Sequence, residues 1–512
     1  SQELALREGS RTFRAWKDVG SSFDTSARFY FFNVTNTNRV ASGEKPQLQE
    51  LGPYVYRVVW VKDNITFHEN DTLSFRQKLI FHFDQEQSAG TEDDLVTTVN
   101  VPYASAALQL EKQSVFMRYM AKAMLSSLGQ SLWHTRSVRE LGFKGYPDPL
   151  VTMAAAAGAG KHGDLAAALR KGHRTAAAKA KDQPASKVGR FAYLADKNDT
   201  FRDVLSMFTG VDNISRINEV DRIGGKTRFN VWGGDECNII RGTFGNVRPP
   251  MVTTDEQVVF IPDIKRSVVL QYVYDNKVAS LNTRRFAATP SMFASGETRP
   301  ENACYNKRTL PDGVADLGPV AKGAPIAVSL PHFLYGNLSA VGVEGLAPDE
   351  DKHLFYVDSE PTSGVSLSAR VRLQMNAVLD GVPGTGTVSK PRHLILPLFW
   401  QEMRADAKSH TVSTVRLAAL MPTVIRCTAI FVQIASSVVV IISVYFLIKA
   451  RNSRQRVVSD PDSKVVPDKM AVYLNGASFL GAKSNGDAHQ NGSLAVANGI
   501  PEADALLQQS AV

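Results

Sequence analysis

The stretch Cys427–Ile448, CTAIFVQIASSVVVIISVYFLI, decides how this chain is organised. Its 22 residues include no charged side chain. As a helix they would extend about 33 Å, enough to cross a bilayer core of about 30 Å, and a helix satisfies its own backbone hydrogen bonds in lipid. The alternative is a buried helix of a large soluble protein. A transmembrane helix is favoured because a basic cluster follows at once, formed by Lys449, Arg451, Arg454 and Arg456.

The basic cluster also predicts which side of the membrane each part of the chain occupies. Positive residues next to a span mark its cytoplasmic side. Residues 1–426 are therefore expected to be extracellular or luminal, and residues 449–512 are expected to form a cytoplasmic tail. The tail is rich in Gly, Asn, Asp and Ser, which predicts disorder. Ser409–Met421 is predicted to be a helix that leads into the membrane. Because the chain starts with Ser and has no apolar leader, we expect a signal peptide or anchor to precede it.

The composition limits the class of protein. A chain of 512 residues with 44% hydrophobic residues can bury a substantial core and exceeds the usual length of one domain. Its net charge of +8 is mild for this size, so we expect no nucleic-acid partner. The three cysteines are Cys237, Cys304 and Cys427. Because Cys427 lies at the outer edge of the span, the other two remain as one pair for a disulfide in an oxidising compartment. The alternative is two free buried thiols.

Strand-like runs dominate the segment before the span. Residues 1–16 are predicted to form a charged juxtamembrane helix. Tyr103–Leu132 is rich in Ala, Leu, Met and Gln, which favours one or two helices, and a further short helix is predicted at Arg202–Phe208. Between these segments, runs rich in aromatic and β-branched residues indicate strands. The first four are Arg28–Val34, Tyr54–Val61, Leu73–Phe83 and Leu95–Val101.

The clearest strand signal lies closer to the span, in the run SARVRLQMNAVL. Val371, Leu373 and Met375 alternate there with polar side chains. A period of two residues predicts a strand with one apolar face. The polar positions between them are Arg370, Arg372 and Gln374.

Met153–Lys187 differs from the rest of the chain because it is rich in Ala and in basic residues and lacks large apolar side chains. Such a segment cannot bury much surface, so we expect an exposed, partly disordered insertion. The alternative is a basic docking surface. Its charge would come from Lys161, Arg170, Lys171, Arg174, Lys179, Lys181 and Lys187.

Six Asn-x-Ser/Thr sequons lie in the part that is expected outside the cytosol. One sequon is a weak signal, but six along a translocated segment predict glycosylation at most of them. A seventh, Asn491, lies in the tail and is expected to stay unmodified. The six are Asn33, Asn64, Asn70, Asn198, Asn213 and Asn337.

The tail carries a pattern that is typical of sorting. In Glu502-Ala-Asp-Ala-Leu506-Leu507 an acidic residue stands four positions before a Leu-Leu pair. This is the acidic dileucine signal, which clathrin adaptors bind on an exposed cytoplasmic tail. The alternative is a chance match, because the pattern is short.

Motifs for catalysis are absent from the sequence. There is no GxSxG, no HExxH and no Cys/His cluster with metal-ligand spacing. His332 and the acidic run Asp349–Asp351 are better explained as a structural histidine and a solvated loop. We therefore expect a protein that is not an enzyme and that holds no cofactor or metal.

Several blocks of the sequence, in the same order, resemble the class B scavenger receptors. That family includes the fatty-acid translocase type, the high-density-lipoprotein receptor type, the lysosomal integral membrane protein and insect sensory neuron membrane proteins. The resemblance covers nearly all of residues 7–448. The blocks are FYFFNVTN (29–36), KPQLQELGPYVYR (45–57), RSVRELGFKGYPDP (136–149), FTGVDNISRINEVD (208–221), FNVWGGDECNIIRGT (229–243), SLPHFLYG (329–336), GLAPDEDKHLFYVDSEPTSGVSLSARVRLQMN (345–376) and ILPLFW (395–400).

The resemblance implies a mixed α/β fold that is mainly an antiparallel, β-barrel-like ectodomain over residues 17–426. A helical bundle at about 103–145 would form its apex, and a hydrophobic tunnel would run through it toward the membrane. Two transmembrane helices would anchor it, the first one before Ser1.

The resemblance also pairs Cys237 with Cys304, because these positions correspond to one of the family's disulfides. The other family cysteines are absent, since Lys265 and Val320–Ala321 stand in their places. We therefore expect one bridge rather than several.

Ligands of this family, which are lipoprotein particles, anionic lipids or a partner enzyme, would dock on the apical bundle. The exposed lysine of the fatty-acid type corresponds to Ser127, which argues against fatty-acid capture by that route. Arg118 and Lys122 lie four residues apart on one predicted helix face and are the candidate ligand-binding residues. The alternative is a solvated basic face.

The function that follows by resemblance is a receptor that binds lipids or lipoproteins and passes hydrophobic cargo through its tunnel to the membrane. The alternative is a lysosomal or endosomal trafficking receptor for a luminal protein partner, which the Glu502–Leu507 pattern favours. The expected location is the plasma membrane, the endosome–lysosome system, or both.

Overall fold

The computed structural model describes residues 4–111, 113–156, 189–251, 254–306, 308–380, 382 and 394–458. The chain divides into two units, Ser1–Cys427 and Thr428–Val512. The first unit contains the sheets and most of the helices, and the boundary falls inside the long C-terminal helix.

Antiparallel strands form the frame of the first unit. They are β1 (Phe23–Val34), β2 (Leu48–His68), β3 (Thr72–Asp84), β4 (Leu95–Val99), β5 (Trp133–Ser137), β6 (Tyr146–Pro147), β7 (Arg190–Phe191), β8 (Leu205–Phe208), β9 (Val220–Ile223), β10 (Glu256–Ile261), β11 (Arg266–Val278), β12 (Leu281–Ala287), β13 (Val314–Asp316), β14 (Ile326–Ser329), β15 (Tyr356–Ser359), β16 (Ser366–Val378) and β17 (Ile395–Ala407).

One sheet holds thirteen of the strands that the structure describes. Its main order is β10-β11-β12-β15-β16-β17-β1-β2-β3-β8-β9, with β14 beside β16 and β13 beside β14. The two edges approach each other, because Thr243 forms one bridge to Glu219, next to β9, and another to Val259 in β10. The sheet is therefore nearly closed, which confirms the predicted antiparallel, barrel-like class.

The centre of the sheet is built from long strands in continuous register. Strand β1 pairs with β17 from Phe23↔Ala407 to Phe31↔Phe399, and β17 pairs in turn with β16. Between β1 and β2 the register shifts beside Phe29. Gly52 lies opposite this shift with a φ of +135°, and a Cβ there would stand 2.7 Å from the Phe29 carbonyl oxygen. A residue without a side chain is required at this close approach.

The helices are short, with one exception. They are α1 (Arg11–Lys17), α2 (Val19–Ser22), α3 (Thr37–Val40), α4 (Val101–Glu111), α5 (Val115–Ser127), α6 (Pro149–Ala156), α7 (Asp235–Asn238), α8 (Leu338–Val341), α9 (Glu350–His353) and α10 (Ser409–Val458), with a π-helical turn at Glu140–Lys144 and 3₁₀ turns at Ile214–Arg216, Pro290–Phe293, Pro300–Tyr305 and Pro331–Phe333.

The predicted juxtamembrane helix over residues 1–16 is shorter than expected. Helix α1 begins at Arg11, because the Ser10 hydroxyl accepts a hydrogen bond from the Phe13 amide at 3.1 Å and so caps the helix there. Gly9 precedes the cap with a φ of +82°, outside the helical region. Phe13 and Trp16 are buried, so α1 packs on the sheet rather than projecting as a charged helix.

Helices α4, α5 and α6 form a small cluster whose core is Ala106, Leu110, Leu125 and Leu150. The prediction of helix within Tyr103–Leu132 is thus confirmed for α4 and α5. The region 103–145 is not helical throughout, because Trp133–Ser137 is strand β5, paired with β4. The first four residues of the Ala-rich segment, Met153–Ala156, end helix α6, and residues 157–188 lie outside the described part of the chain.

The short helix predicted at Arg202–Phe208 is wrong. Leu205–Phe208 is strand β8, which pairs with β3 on one side and with β9 on the other. Leu205 and Met207 are buried. Hydrogen bonds to two neighbouring strands override the local helix propensity of this segment.

Helix α10 carries the apolar span. Among the described residues, its part Ser409–Arg454 contains a segment that is long and apolar enough to cross a membrane. The helix that was predicted to lead into the span, Ser409–Met421, is the first part of α10. The helix continues beyond Ile448 to Val458, so the predicted disorder of residues 449–512 is wrong for its first ten residues. Residues 459–512 lie outside the described part.

Cys237 and Cys304 form a disulfide. The bridge joins helix α7 to the 3₁₀ turn Pro300–Tyr305. Cys427 is a free, exposed cysteine. The predicted pairing is therefore present, and the alternative of two free thiols is wrong.

Candidate functional site

The main feature of the first unit is an apolar cavity of about 2170 Å³. Side chains from distant strands face it: Phe29, Phe81, Val259, Phe399 and Met403. The alternating run in β16 contributes Val371, Leu373 and Met375, so the apolar face predicted from sequence is a wall of the cavity. The polar residues between them point to the other side of the strand.

Helices also contribute to the lining of the cavity. Trp16 contributes from α1, Thr411 and Val415 contribute from the first two turns of α10, and Ile425 contributes from its fifth turn. Ile425 stands two residues before the apolar stretch Cys427–Ile448 in the sequence. The cavity wall therefore includes the segment that leads into the span.

An apolar space of this size is suited to hydrocarbon rather than to polar metabolites. Small-molecule sites usually enclose about 300–1,000 Å³, so this cavity has room for more than one drug-sized molecule. Each CH₂ group that leaves water for such a lining gains about 0.8 kcal/mol. The arrangement can therefore hold acyl chains, sterols or other long apolar molecules.

The polar face of β16 forms buried ion pairs. The Nε of Arg372 donates to the Glu402 carboxylate at 2.7 Å, and its Nη1 donates to the Leu354 carbonyl at 2.9 Å. Arg370 pairs with Asp406 at 2.9 Å. Since opposite charges and carbonyl oxygens surround these guanidinium groups, their role is to fix β16 against β17.

His332 lies in a buried cluster on the same side of the sheet. Its Nε2 is 2.6 Å from the Glu50 carboxylate, which also accepts a hydrogen bond from the Trp400 indole at 2.7 Å. Its Nδ1 accepts from the Ala347 amide at 3.1 Å. His353 stacks on His332 with 4.4 Å between the ring centroids. Every polar atom of the His332 ring has a partner, which is what a structural histidine requires.

The cluster shifts two pKa values. Burial and the neighbouring His332 lower the pKa of His353 to about 4. Burial alone would raise the pKa of Glu50, but the hydrogen bonds from His332 and Trp400 outweigh it and lower that pKa. Asp349, in the acidic run next to this cluster, caps α9 by accepting from the Asp351 amide at 2.9 Å. These contacts stabilise the fold.

The candidate ligand-binding residues Arg118 and Lys122 lie one turn apart in α5. Arg118 is partly buried, and the side chain of Lys122 lies outside the described part of the structure. The same helix exposes an apolar group that the sequence reasoning missed: Val115, Phe116, Tyr119 and Met120. In the sequence, the apolar pair Val115-Phe116 is followed four residues later by the pair Tyr119-Met120, and this spacing places both pairs on one helix face.

The sequons differ in exposure. Asn33 and Asn198 are partly buried, and their side-chain oxygens accept from the amides of Thr97 and Phe81. The other four are exposed: Asn64, Asn70, Asn213 and Asn337. The tail signal Glu502, Leu506 and Leu507 lies outside the described residues.

Comparison with known proteins places this architecture in a family. A family model described as the CD36 family matches residues 1–448. The chain belongs to the CD36 family. That family includes the class B scavenger receptors, so the resemblance drawn from the sequence blocks is confirmed.

Individual relatives cover most of the chain. Scavenger receptor class B member 1 of Bos taurus is 30% identical over 453 residues, which are 88% of this chain and 84% of the relative. Protein peste of Drosophila melanogaster is 29% identical over 427 residues, 82% of this chain and 72% of the relative. Lysosome membrane protein 2 of Homo sapiens is 29% identical over 442 residues, 84% of both chains. This CD36-family chain is thus similar both to a scavenger receptor and to a lysosomal membrane protein.

Proposed function

We propose that this CD36-family protein binds lipids or lipoproteins at helices α4 and α5 and transfers hydrophobic cargo through its cavity to the membrane, without catalysing a reaction. The observation that carries the proposal is the apolar cavity, whose lining runs from the sheet to Ile425, next to the span. A passage of this kind would be a tunnel from the apex to the bilayer.

The physical advantage of such a tunnel is the avoided contact with water. Moving a lipid with sixteen to eighteen CH₂ groups from a particle into water would cost more than about 12 kcal/mol of transfer free energy, at about 0.8 kcal/mol per group. Apolar walls such as Phe29, Leu373 and Phe399 replace that contact throughout the transfer.

The proposal includes the placement of the chain. Residues 1–426 would be extracellular or luminal, carry the glycans, and receive ligand near Arg118 and Lys122. Residues 449–512 would be cytoplasmic, as the basic residues after the span indicate. The exposed sequons have room for glycans, which supports modification at Asn64, Asn70, Asn213 and Asn337 first.

A substitution that fills the cavity tests the transfer step. Ala369 lines the cavity opposite another small residue, Ala405 in β17. In cells that express the full chain, Ala369→Trp should reduce uptake of a fluorescent cholesteryl ester from lipoprotein particles about tenfold. The indole would block the cavity, and the close-packed interior around it offers the lipid no other path. Particle binding at 4 °C should stay unchanged.

The matched control adds the same bulk outside the cavity. Val59 in β2 is exposed, whereas its neighbour Trp60 lines the cavity. Val59→Trp should leave both binding and uptake at the wild-type level. Normal uptake by Ala369→Trp, with the protein at the cell surface in normal amount, would reject transfer through the cavity.

A trafficking receptor for a luminal protein partner is the second candidate function. It is supported by the dileucine pattern in the tail and by the similarity to lysosome membrane protein 2. Replacing Leu506 and Leu507 by Ala would remove the contact with clathrin adaptors and shift the protein from endosomes and lysosomes to the cell surface. An unchanged distribution by surface biotinylation and imaging would reject the sorting signal.

A further inference from the structure

Lys62 is a cation in the cavity wall that lacks an anionic partner. Its ammonium donates to the backbone carbonyl of Trp16 at 2.6 Å and lies 4.9 Å from the centre of that indole ring. Lys62 forms no ion pair with any residue that the structure describes. Because an ammonium has three donors, the contact with Trp16 leaves two of them available.

A second donor stands beside it on the same strand. Trp60 also lines the cavity, and its indole Nε1 is buried without a hydrogen-bond partner. The Lys62 ammonium lies 5.9 Å from the centre of this ring. Residues two apart in β2 share one face, so the Trp60 and Lys62 side chains lie on the cavity side of the strand. Buried donors without acceptors favour a ligand that brings oxygen atoms.

The cross-strand neighbour of Lys62 supplies no anion. Gln77, which pairs with Lys62 in β3, is uncharged. The carboxylates of the cavity lining form no ion pair with Lys62 in the part of the chain that the structure describes; they are Asp196, Asp203 and Asp263. Burial lowers the pKa of Lys62 to about 7, and Asp18, at the junction of α1 and α2, offsets only part of that effect. An anion that entered beside the ammonium would favour its charged form.

We propose that Lys62 binds the anionic head group, a carboxylate or a phosphate, of a single-chain lipid whose tail occupies the cavity. This inference rests on the proposed lipid-transfer function and adds a rule of selection to it. An apolar lining holds any long chain equally well, whereas the charge of Lys62 distinguishes an anionic amphiphile from its neutral ester. Lys62 is then a specificity-determining residue rather than only a cap on the carbonyl of Trp16.

Competition between matched ligands tests the proposal. The full chain in nanodiscs is labelled with a photoreactive analogue of a fatty acid, and labelled cavity peptides are quantified by mass spectrometry. Oleate and methyl oleate compete as one pair, and oleoyl lysophosphatidic acid and monooleoylglycerol as a second pair. The stronger anionic competitor identifies the head group as carboxylate or phosphate.

Two variants report on the charge at position 62. Lys62→Gln keeps an N–H donor for the Trp16 carbonyl but removes the charge, so competition by the anionic lipids should weaken about tenfold or more, as loss of a charge-assisted hydrogen bond predicts. Competition by the two neutral lipids should stay within twofold of wild type, which also shows that the cavity is intact. Lys62→Arg should restore most of the anionic preference.

The pH dependence supplies an independent readout. In the wild type, competition by oleate should weaken as the pH rises from 7 to 9, because the amine must take up a proton to pair with the anion. Methyl oleate should show no such change, and Lys62→Gln should abolish the change for oleate. Equal losses for anionic and neutral lipids in Lys62→Gln, or no loss for either, would overturn the head-group site. Failure of all four lipids to compete in the wild type would instead overturn lipid binding in the cavity.

Discussion

Among single residues, His353 makes the stability of the fold depend on pH. Its ring stacks on His332 and is nearly inaccessible to water, so a positive charge on His353 is unfavourable. Folding lowers its pKa from 6.5 to about 4, with burial as the main cause and His332 as the next. Glu50 and Asp349 oppose this shift, and Arg372 adds to it. Between these two pKa values the unfolded chain binds a proton that the folded chain does not.

The sign of the effect follows from that difference. The contribution of His353 to the unfolding free energy is complete above pH 6.5 and decreases as the pH falls toward 4. The wild type should therefore lose about 2 kcal/mol of unfolding free energy through this residue between pH 7 and pH 5. His353→Asn keeps an acceptor for the Asp349 amide and should remove that part of the loss. Denaturant unfolding at both pH values measures it. His410→Asn, at an exposed position, is the control and should keep the wild-type pH dependence.

The buried pair of Arg372 and Glu402 allows a second test at the residue scale. Both side chains are less than a tenth exposed, so Arg372→Met leaves a buried carboxylate whose nearest remaining cation is Arg28 at 3.9 Å. Loss of one partner of a buried pair should cost about 3–5 kcal/mol of unfolding free energy. The double variant Arg372→Met/Glu402→Met should recover at least half of that loss. A single variant as stable as wild type in denaturant unfolding would contradict this account.

These residues also show where sequence reasoning stops. The alternation of Val371, Leu373 and Met375 predicted an apolar face, because strand geometry is local. The contact between Glu50 and His332 joins residues 282 positions apart, and no local pattern encodes it. Lys62 was missed for the same reason, since only the fold brings it beside Trp16.

At the scale of elements, the disulfide should be a large single contribution to stability. Cys237 and Cys304 are 67 residues apart, and a loop of that size predicts a stabilisation of about 4 kcal/mol from the restricted unfolded chain. Replacing both by Ala should lower the unfolding free energy by that amount. Cys427→Ala is the control, because this free, exposed cysteine forms no bridge. Equal stability of the double variant and the control would reject the entropic estimate.

Some element boundaries are set by a local capping residue, and others are set by tertiary contacts. Ser10 fixes the start of α1, a signal that lies within four residues of sequence. Leu205–Phe208 carries helix-compatible residues but becomes β8 because β3 and β9 supply its hydrogen bonds. Whether such a short segment forms a strand or a helix depends on neighbouring strands that the surrounding sequence does not reveal.

For the whole molecule, the fold class came from repeated strand patterns and from the ordered sequence blocks, and the nearly closed sheet agrees with both. The cavity could not be predicted from periodicity alone. An apolar strand face such as that of β16 fits a solid core equally well, and only the distance between opposite walls leaves an open space of about 2170 Å³.

If capture and transfer use different parts of the molecule, they should be separable. Phe116 and Tyr119 on α5 are 70% and 73% exposed, so Phe116→Ser/Tyr119→Ser should not disturb the fold. Loss of two aromatic anchors should weaken binding of lipoprotein particles about tenfold. Uptake of lipid supplied as monomers should be unaffected, whereas Ala369→Trp should impair it and leave particle binding intact. Met251→Ser, at another exposed apolar position, is the control and should change neither measurement. Equal impairment of both measurements by the α5 variant and by Ala369→Trp would show that capture and transfer are one step.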